Sequence, residues 1–329
     1  MDLILNLADE YVLDAVWARV VPASAFVSST VNANATYAAP LALSALSKWE
    51  TVVSHLPHPP SLAILGSNAT AYAEPLLSAW PRDYVPRQLI SLAAITLIGV
   101  HALYFIFSTL SYYFIFNHDM MNHPKFLKNQ VRMEIESSLR AFPTMMLLTL
   151  PWFQGEVMGY SKLYSDPAEY GYIYLALSLV MFLTFTDYAI YWVHRLEHHP
   201  AVYKWLHKPH HKWLIPTPFS AYAFNPVDGY FQSLPYHIFI FVFPLHRGLF
   251  LGLFVFINFW TILIHDSDMV TGHFLEKAIN GPAHHTLHHL YFTVNYGQYF
   301  TFADRLGNSY RQPEAALDPA LDLVKRKTR

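Results

Sequence analysis

Residues 89–116 read LISLAAITLIGVHALYFIFSTLSYYFIF, a run without one Asp, Glu, Lys or Arg. A bilayer hydrocarbon core of roughly 30 Å needs about 20 apolar residues in helical form, so this run is long enough to cross it. The composition of the whole chain agrees. Only 13% of its residues are charged against 53% hydrophobic and 16% aromatic, where soluble domains carry about 25% charged residues. Lipid is therefore the expected solvent for much of the chain. The formal charge of -2 gives no basic face for nucleic acid. The absence of cysteine excludes disulfides, thiolate zinc sites, Cys-ligated iron–sulfur clusters and thiolate-ligated haem. Histidine or carboxylate must hold any metal.

Three further apolar stretches follow. Residues 141–160, AFPTMMLLTLPWFQGEVMGY, form a weaker span interrupted by prolines and Glu156. Residues 170–195, YGYIYLALSLVMFLTFTDYAIYWVHR, run directly into a histidine cluster. Residues 235–265 are broken by Pro244 and by His246-Arg247-Gly248, which predicts a two-leg hairpin rather than a single span. The expected fold is all-α: an integral membrane helical bundle of about four to five transmembrane segments with a cytoplasmic, histidine-rich helical cap. The expected divisions are a lumenal or interfacial leader over 1–87, a membrane domain over 88–313 and a cytoplasmic tail over 314–329. The leader lacks the basic and apolar regions of a cleaved signal peptide.

Charge sets the expected orientation. The expected loop over 117–140 carries Lys125, Lys128, Arg132 and Arg140 and the loop after the third span carries Arg195, Lys204, Lys208 and Lys212, whereas the loop between them, about 161–170, has Lys162 alone. The positive-inside rule places the first two on the cytoplasmic side and the leader in the lumen. Glycosylation sequons at Asn34 and Asn68 fall in that leader.

The chemistry is concentrated in His194-Arg-Leu-Glu-His198-His199, His207-Lys-Pro-His210-His211 and His285-Thr-Leu-His288-His289. With 19 histidines in the chain, an H-x-x-H-H pattern is expected roughly 0.06 times by chance. Two occur, beside one H-x-x-x-H-H. Residues three or four apart on a helix share a face, so each cluster can direct imidazoles at one point. Nine nitrogens exceed the four ligands of a tetrahedral zinc and suit two metal ions with exchangeable positions. Imidazole suits iron, and an iron pair at the membrane surface can reduce dioxygen and oxidise an apolar substrate that enters from the bilayer. His265, which ends the hairpin in WTILIH, is a further ligand candidate or a support for one. Asp187, seven residues before His194, and Tyr191 on the same face are expected to support the site, Asp187 by orienting a ligating imidazole.

These motifs, with VYKWLHKPHHKWLIPTPFSAYAFNPVDG at 202–229, QSLPYHIF at 232–239 and HTLHHLYFTVNYGQYFTFADRLGNSYRQP at 285–313, resemble the fatty acid hydroxylase/sterol desaturase superfamily and, within it, the fungal C-5 sterol desaturases. The resemblance covers roughly residues 90–313. It implies a di-iron enzyme of the endoplasmic reticulum membrane that places a C5=C6 double bond in a delta-7 sterol. Such an enzyme uses O2 and electrons passed from NADH through cytochrome b5 and its reductase. The implied ligands are His194, His198, His199, His207, His210, His211, His285, His288 and His289, with His265 alongside. Glu197 stands where the family usually has an apolar or neutral residue. Two other readings are open: a lipid hydroxylase of the same superfamily, such as a sterol C4-methyl oxidase or fatty acid 2-hydroxylase, and a membrane protein that stores or moves metal.

Overall fold

The computed structural model describes residues 1–26, 48–59 and 78–327. Asn34 and Asn68 lie outside the described residues. The described residues are mostly helical, and the chain divides into two units, Met1–Ile95 and Thr96–Arg329.

In the first unit, helices α1 (Asp2–Ala8) and α2 (Asp14–Val20) are joined by a π-helical turn, and α3 is Lys48–Val53. A small core of Trp17, Val21, Ala25, Val53, Ala79 and Trp80 holds them. The buried Arg87, at the start of helix α4 (Val85–Phe114), pairs with Asp9 at 2.6 Å and also with Asp14, while Trp17 Nε1 donates to Ser91. These ties explain why the division falls inside α4 rather than at residue 87: the first turns of the span belong to the leader's core.

Among the described residues, α4 and α6 (Gly171–Glu197) are the two helices long and apolar enough to cross a membrane. Helix α5 (Gln130–Val157) runs unbroken through Pro143 and Pro151. It begins well before residue 141, so Arg132 and Arg140 lie on its exposed side, paired with Glu136, rather than in a loop. The reason is a polar stripe with helical spacing: Gln130, Glu134 and Ser138 are all buried, and Glu134 accepts from Gln130 at 2.7 Å and from the Thr217 hydroxyl.

The expected hairpin is present as α7 (Pro226–Val242) and α8 (Arg247–Leu263). At 17 residues each, these legs are about 26 Å long. Between them the turn forms strand β2 (Leu245–His246), which pairs in parallel with β1 (Leu163–Tyr164) in the turn between α5 and α6. That pairing puts both turns at one end of the bundle. The C-terminal ends of α6 and α8 and the N-terminal end of α7 therefore gather at the other end, where the histidines lie. Phe182, Phe239, Ile240, Leu245, Phe250 and Leu253 pack the helices together. Beyond the hairpin come α9 (Pro282–Tyr291) and the short α10 (Phe302–Leu306).

Candidate metal centre

Nine imidazoles converge in two groups: His194, His198, His207, His211 and His288 in one, and His210, His265, His285 and His289 in the other. Pairs four residues apart stay together: His194/His198 and His207/His211 enter the first group and His285/His289 the second. The third member of a motif crosses over, so His210 joins the second group and His288 the first. Each of the last two motifs thus serves both groups. The middle motif is not α-helical. His210 and His211 donate their backbone N–H groups to the His207 carbonyl at 3.0 and 3.3 Å, and this single tight turn sets their spacing.

His199 stands apart. Helix α6 ends at Glu197, the backbone turns extended at His199, and its exposed ring accepts the Ala201 N–H as a cap on the following turn. His265 takes the ninth place. It lies 3.2 Å from His210 and 2.9 Å from His285, Nε2 to Nε2.

The protein fixes which nitrogen faces inward. A carbonyl oxygen can only accept, so a ring nitrogen bonded to one must carry the proton. His194 Nδ1 donates to Tyr296 O at 2.9 Å and His288 Nδ1 to Val294 O at 2.7 Å. His289 Nδ1 donates to Trp213 O at 2.9 Å and His265 Nδ1 to Thr261 O at 2.6 Å. His207 Nδ1 donates to the buried Asp228 carboxylate at 2.8 Å. The Nε2 atoms of these rings are left as bare lone pairs, and those of His194 and His207 face each other. His194 and His207 are 3.0 Å apart, and His198, His211 and His288 form a triangle of 3.0 to 3.3 Å.

Facing lone pairs at such distances repel unless a cation lies between them. With metal–nitrogen bonds of about 2.0–2.1 Å, neighbouring ligand nitrogens are separated by about 2.8 Å at right angles and about 3.4 Å at tetrahedral angles. The observed 2.9 to 3.3 Å falls inside that range. The donor set, its tautomers and its spacing therefore fit a pair of metal ions. Burial pushes His210, His211, His285, His288 and His289 well below the ordinary imidazole range, and His265 down to about 4, so all are neutral and able to ligate at neutral pH.

Asp187 bonds backbone rather than an imidazole. Two helical turns put it about 10 Å along α6 from His194. Its Oδ1 instead accepts the backbone N–H groups of Gln298, Tyr299 and Phe300 at 3.1, 2.6 and 3.1 Å. Tyr191 likewise meets no ligating nitrogen: its hydroxyl bonds Ser309 Oγ at 3.1 Å and accepts from Arg195, whose guanidinium also donates to Gly307 O at 2.7 Å. The sequence reading missed Asp228. An acid in the first turn of a helix has the ordinary role of favouring the helix dipole, and nothing in Asn225-Pro-Val-Asp228 distinguishes it from that.

Residues 179–309 match the family model described as fatty acid hydroxylase. The chain is 53% identical over 268 residues to the delta(7)-sterol 5(6)-desaturase erg3C of Aspergillus fumigatus, an alignment covering 75% of this chain and 84% of that protein. It is 52% identical over 248 residues to the lathosterol oxidase of Homo sapiens, covering 75% and 82%. A second A. fumigatus desaturase, erg3A, is 46% identical over 319 residues, covering 96% and 88%. No solved structure matches. With nine histidines gathered into two groups that could each hold a metal ion and identity of this extent, the chain belongs to the family of delta(7)-sterol 5(6)-desaturases and lathosterol oxidases.

Proposed function

We propose that this chain is an O2-dependent delta(7)-sterol 5(6)-desaturase of the endoplasmic reticulum membrane, forming the C5=C6 double bond of a delta-7 sterol of the lathosterol or episterol type. The observation that carries the reading is the pair of convergent imidazole groups, each able to hold a metal ion and one of them with the lone pairs of His194 and His207 face to face, in a chain of this family. In the balanced reaction the sterol gives up one hydrogen at C5 and one at C6. Dioxygen receives those two electrons and two more from NADH through cytochrome b5 and its reductase, and leaves as two waters. Two iron ions, one held by the five-histidine group and one by the four-histidine group, would supply the oxidant that takes hydrogen from an unactivated C–H bond.

The chain's own residues prepare that site. The carbonyls of Val294, Tyr296, Trp213 and Thr261 and the Asp228 carboxylate hold the rings in the tautomer that ligates. Burial of eight of the nine imidazoles, His198 alone being half-buried, keeps bulk water away from the reacting carbon. The bundle end that carries them faces the cytoplasm in this reading, with the leader lumenal. Four to five spans are made by α4, α5, α6 and the α7–α8 hairpin. Exposed Lys204, Lys208 and Lys212 lie around the middle histidine motif and suit an acidic electron donor.

A lipid hydroxylase is the second reading, favoured by the match of residues 179–309 to the fatty acid hydroxylase model. Expression in a yeast strain lacking its own C-5 desaturase separates the two. Gas chromatography of the extracted sterols is expected to show conjugated 5,7-dienes restored. A hydroxylated sterol or fatty acid in their place would transfer the assignment to the hydroxylase.

A further inference from the structure

The segment Val294–Phe300 links the two helices that feed the five-histidine group. Through the Val294 carbonyl it orients His288 of α9, and through the Tyr296 carbonyl it orients His194 of α6. The four-histidine group takes its orientation elsewhere: His289 from Trp213 and His265 from Thr261. At its far end the segment also meets the other group's support, where Gln298 bonds Thr261 Oγ1 at 3.0 Å and accepts from Trp260 Nε1 at 2.8 Å, so a displacement confined to the Val294–Gly297 end would disturb one group and leave the carbonyls of the other in place.

Two buried carboxylates hold this strap by five successive backbone N–H groups. Asp304 Oδ1 accepts from Tyr296 and Asp304 Oδ2 from Gly297, both at 2.8 Å. Asp187 Oδ1 accepts from Gln298, Tyr299 and Phe300. Ser309 Oγ adds a bond to Asp304 Oδ1 at 2.8 Å. The carboxylates come from different elements, α10 and α6, and pin the strap on either side of the Gly297–Gln298 peptide. Asn295, at φ 55°, starts the bend in a left-handed conformation that Asn tolerates.

We propose that Asp304 is a positioning residue for the five-histidine centre alone, fixing the carbonyls of Tyr296 and, through the bend, Val294, with Asp187 securing the far end of the strap. The proposal rests on the reading that each histidine group binds one metal ion. The two carboxylates differ in a way that can be tested. Asp304 uses both oxygens, so an amide there must face one backbone N–H with its own NH2, donor against donor. Asp187 directs all three bonds to Oδ1, which an asparagine retains.

The test counts iron by inductively coupled plasma mass spectrometry in the full chain, purified in lipid nanodiscs after iron loading. Wild type is expected to hold two ions per chain, Asp304→Asn one, and Asp187→Asn two. His265→Ala, which removes a ligand of the other centre, is expected to hold one, and its combination with Asp304→Asn none. Ser309→Ala, a milder disturbance of the same carboxylate, serves if Asp304→Asn does not fold, and is expected to release one of its two ions to a chelator about 10-fold faster than wild type. Fewer than two ions in wild type would overturn the two-metal reading itself. Two ions in wild type together with two in Asp304→Asn, or equal acceleration of both ions in Ser309→Ala, would overturn the role of Asp304.

Discussion

His207 Nδ1 lies 2.8 Å from Asp228 Oδ2, and both side chains are completely buried. The other oxygen of Asp228 accepts from Gln232 at 2.7 Å, and the Glu197 carboxyl approaches the same His207 nitrogen at 3.8 Å. An imidazole backed by a carboxylate is a stronger and better oriented ligand than a free one, and loss of such a partner costs about 10–100-fold in metal affinity or activity. Asp228→Ala is therefore expected to lower activity in microsomes by about that factor and to shift chelator titrations in the same direction, while Asp228→Asn, which can still accept from His207, falls less. Unchanged metal retention in Asp228→Ala would remove Asp228 from the site.

Two of the histidines expected as ligands, His265 inside a group and His199 outside both, give an internal comparison. His265→Ala removes an imidazole 2.9 Å from His285 and is expected to abolish activity together with one metal ion. His199→Ala removes a cap from the four-residue turn Pro200–Tyr203. A cap of that kind is worth about 1 kcal/mol at most in so short a turn, so activity is expected to stay within about twofold of wild type. Sterol analysis of strains expressing each variant checks both, and the reverse ranking would restore His199 as a ligand.

Metal removal should make the protein acid-sensitive. In the folded chain burial lowers His265 and His284 from 6.5 to about 4, and holds five more of the proposed ligands well below the ordinary imidazole range. The unfolded chain then binds more protons than the folded one between these values, so stability is complete above pH 6.5 and is lost as pH falls from 6.5 toward 4. Thermal melts of chelator-treated protein are expected to drop steeply across that window. A melting temperature independent of pH there would contradict neutral, buried imidazoles.

Gly307 is expected to admit no side chain. A Cβ at this position would lie 1.7 Å from the Tyr191 hydroxyl and 2.5 Å from Arg195 Nη1, the pair that holds the C-terminal segment against α6. Overpacking of this kind costs about 1–3 kcal/mol, so Gly307→Ala should lower the melting temperature measurably. An unchanged melting curve would show that the contact yields easily.

Much of this arrangement is legible in the sequence because it is written in spacing. The i, i+4 pairs His194/His198, His207/His211 and His285/His289 each reach a common centre, as helix and turn geometry require, and the Pro244 and Gly248 region breaks the hairpin where it was expected to. The spans of α4 and α6 follow from hydropathy alone. What spacing cannot carry is which way the chain turns after a helix ends. His199 follows two histidines of the first group in sequence yet lies outside both groups because the chain turns extended there, while His265, a candidate by its position at the end of the hairpin, lies 2.9 Å from His285 because α8 ends beside it. The parts that hold the rings were invisible for a different reason. Val294, Tyr296, Trp213 and Thr261 act through backbone carbonyls, which every residue possesses, and Asp304 accepts backbone N–H groups brought to it by tertiary folding; Asp187 stands out in the sequence as an acid within a span, but its backbone partners do not.

The chemistry itself is tested most directly by mass spectrometry of the product formed when microsomes containing the chain are given a delta-7 sterol, NADH and isotopically labelled dioxygen. Desaturation predicts a sterol lighter by two hydrogens, absorbing as a conjugated diene, with the label recovered in water. A sterol heavier by one labelled oxygen, or no product in the presence of O2 and NADH with the metal centres filled, would contradict it.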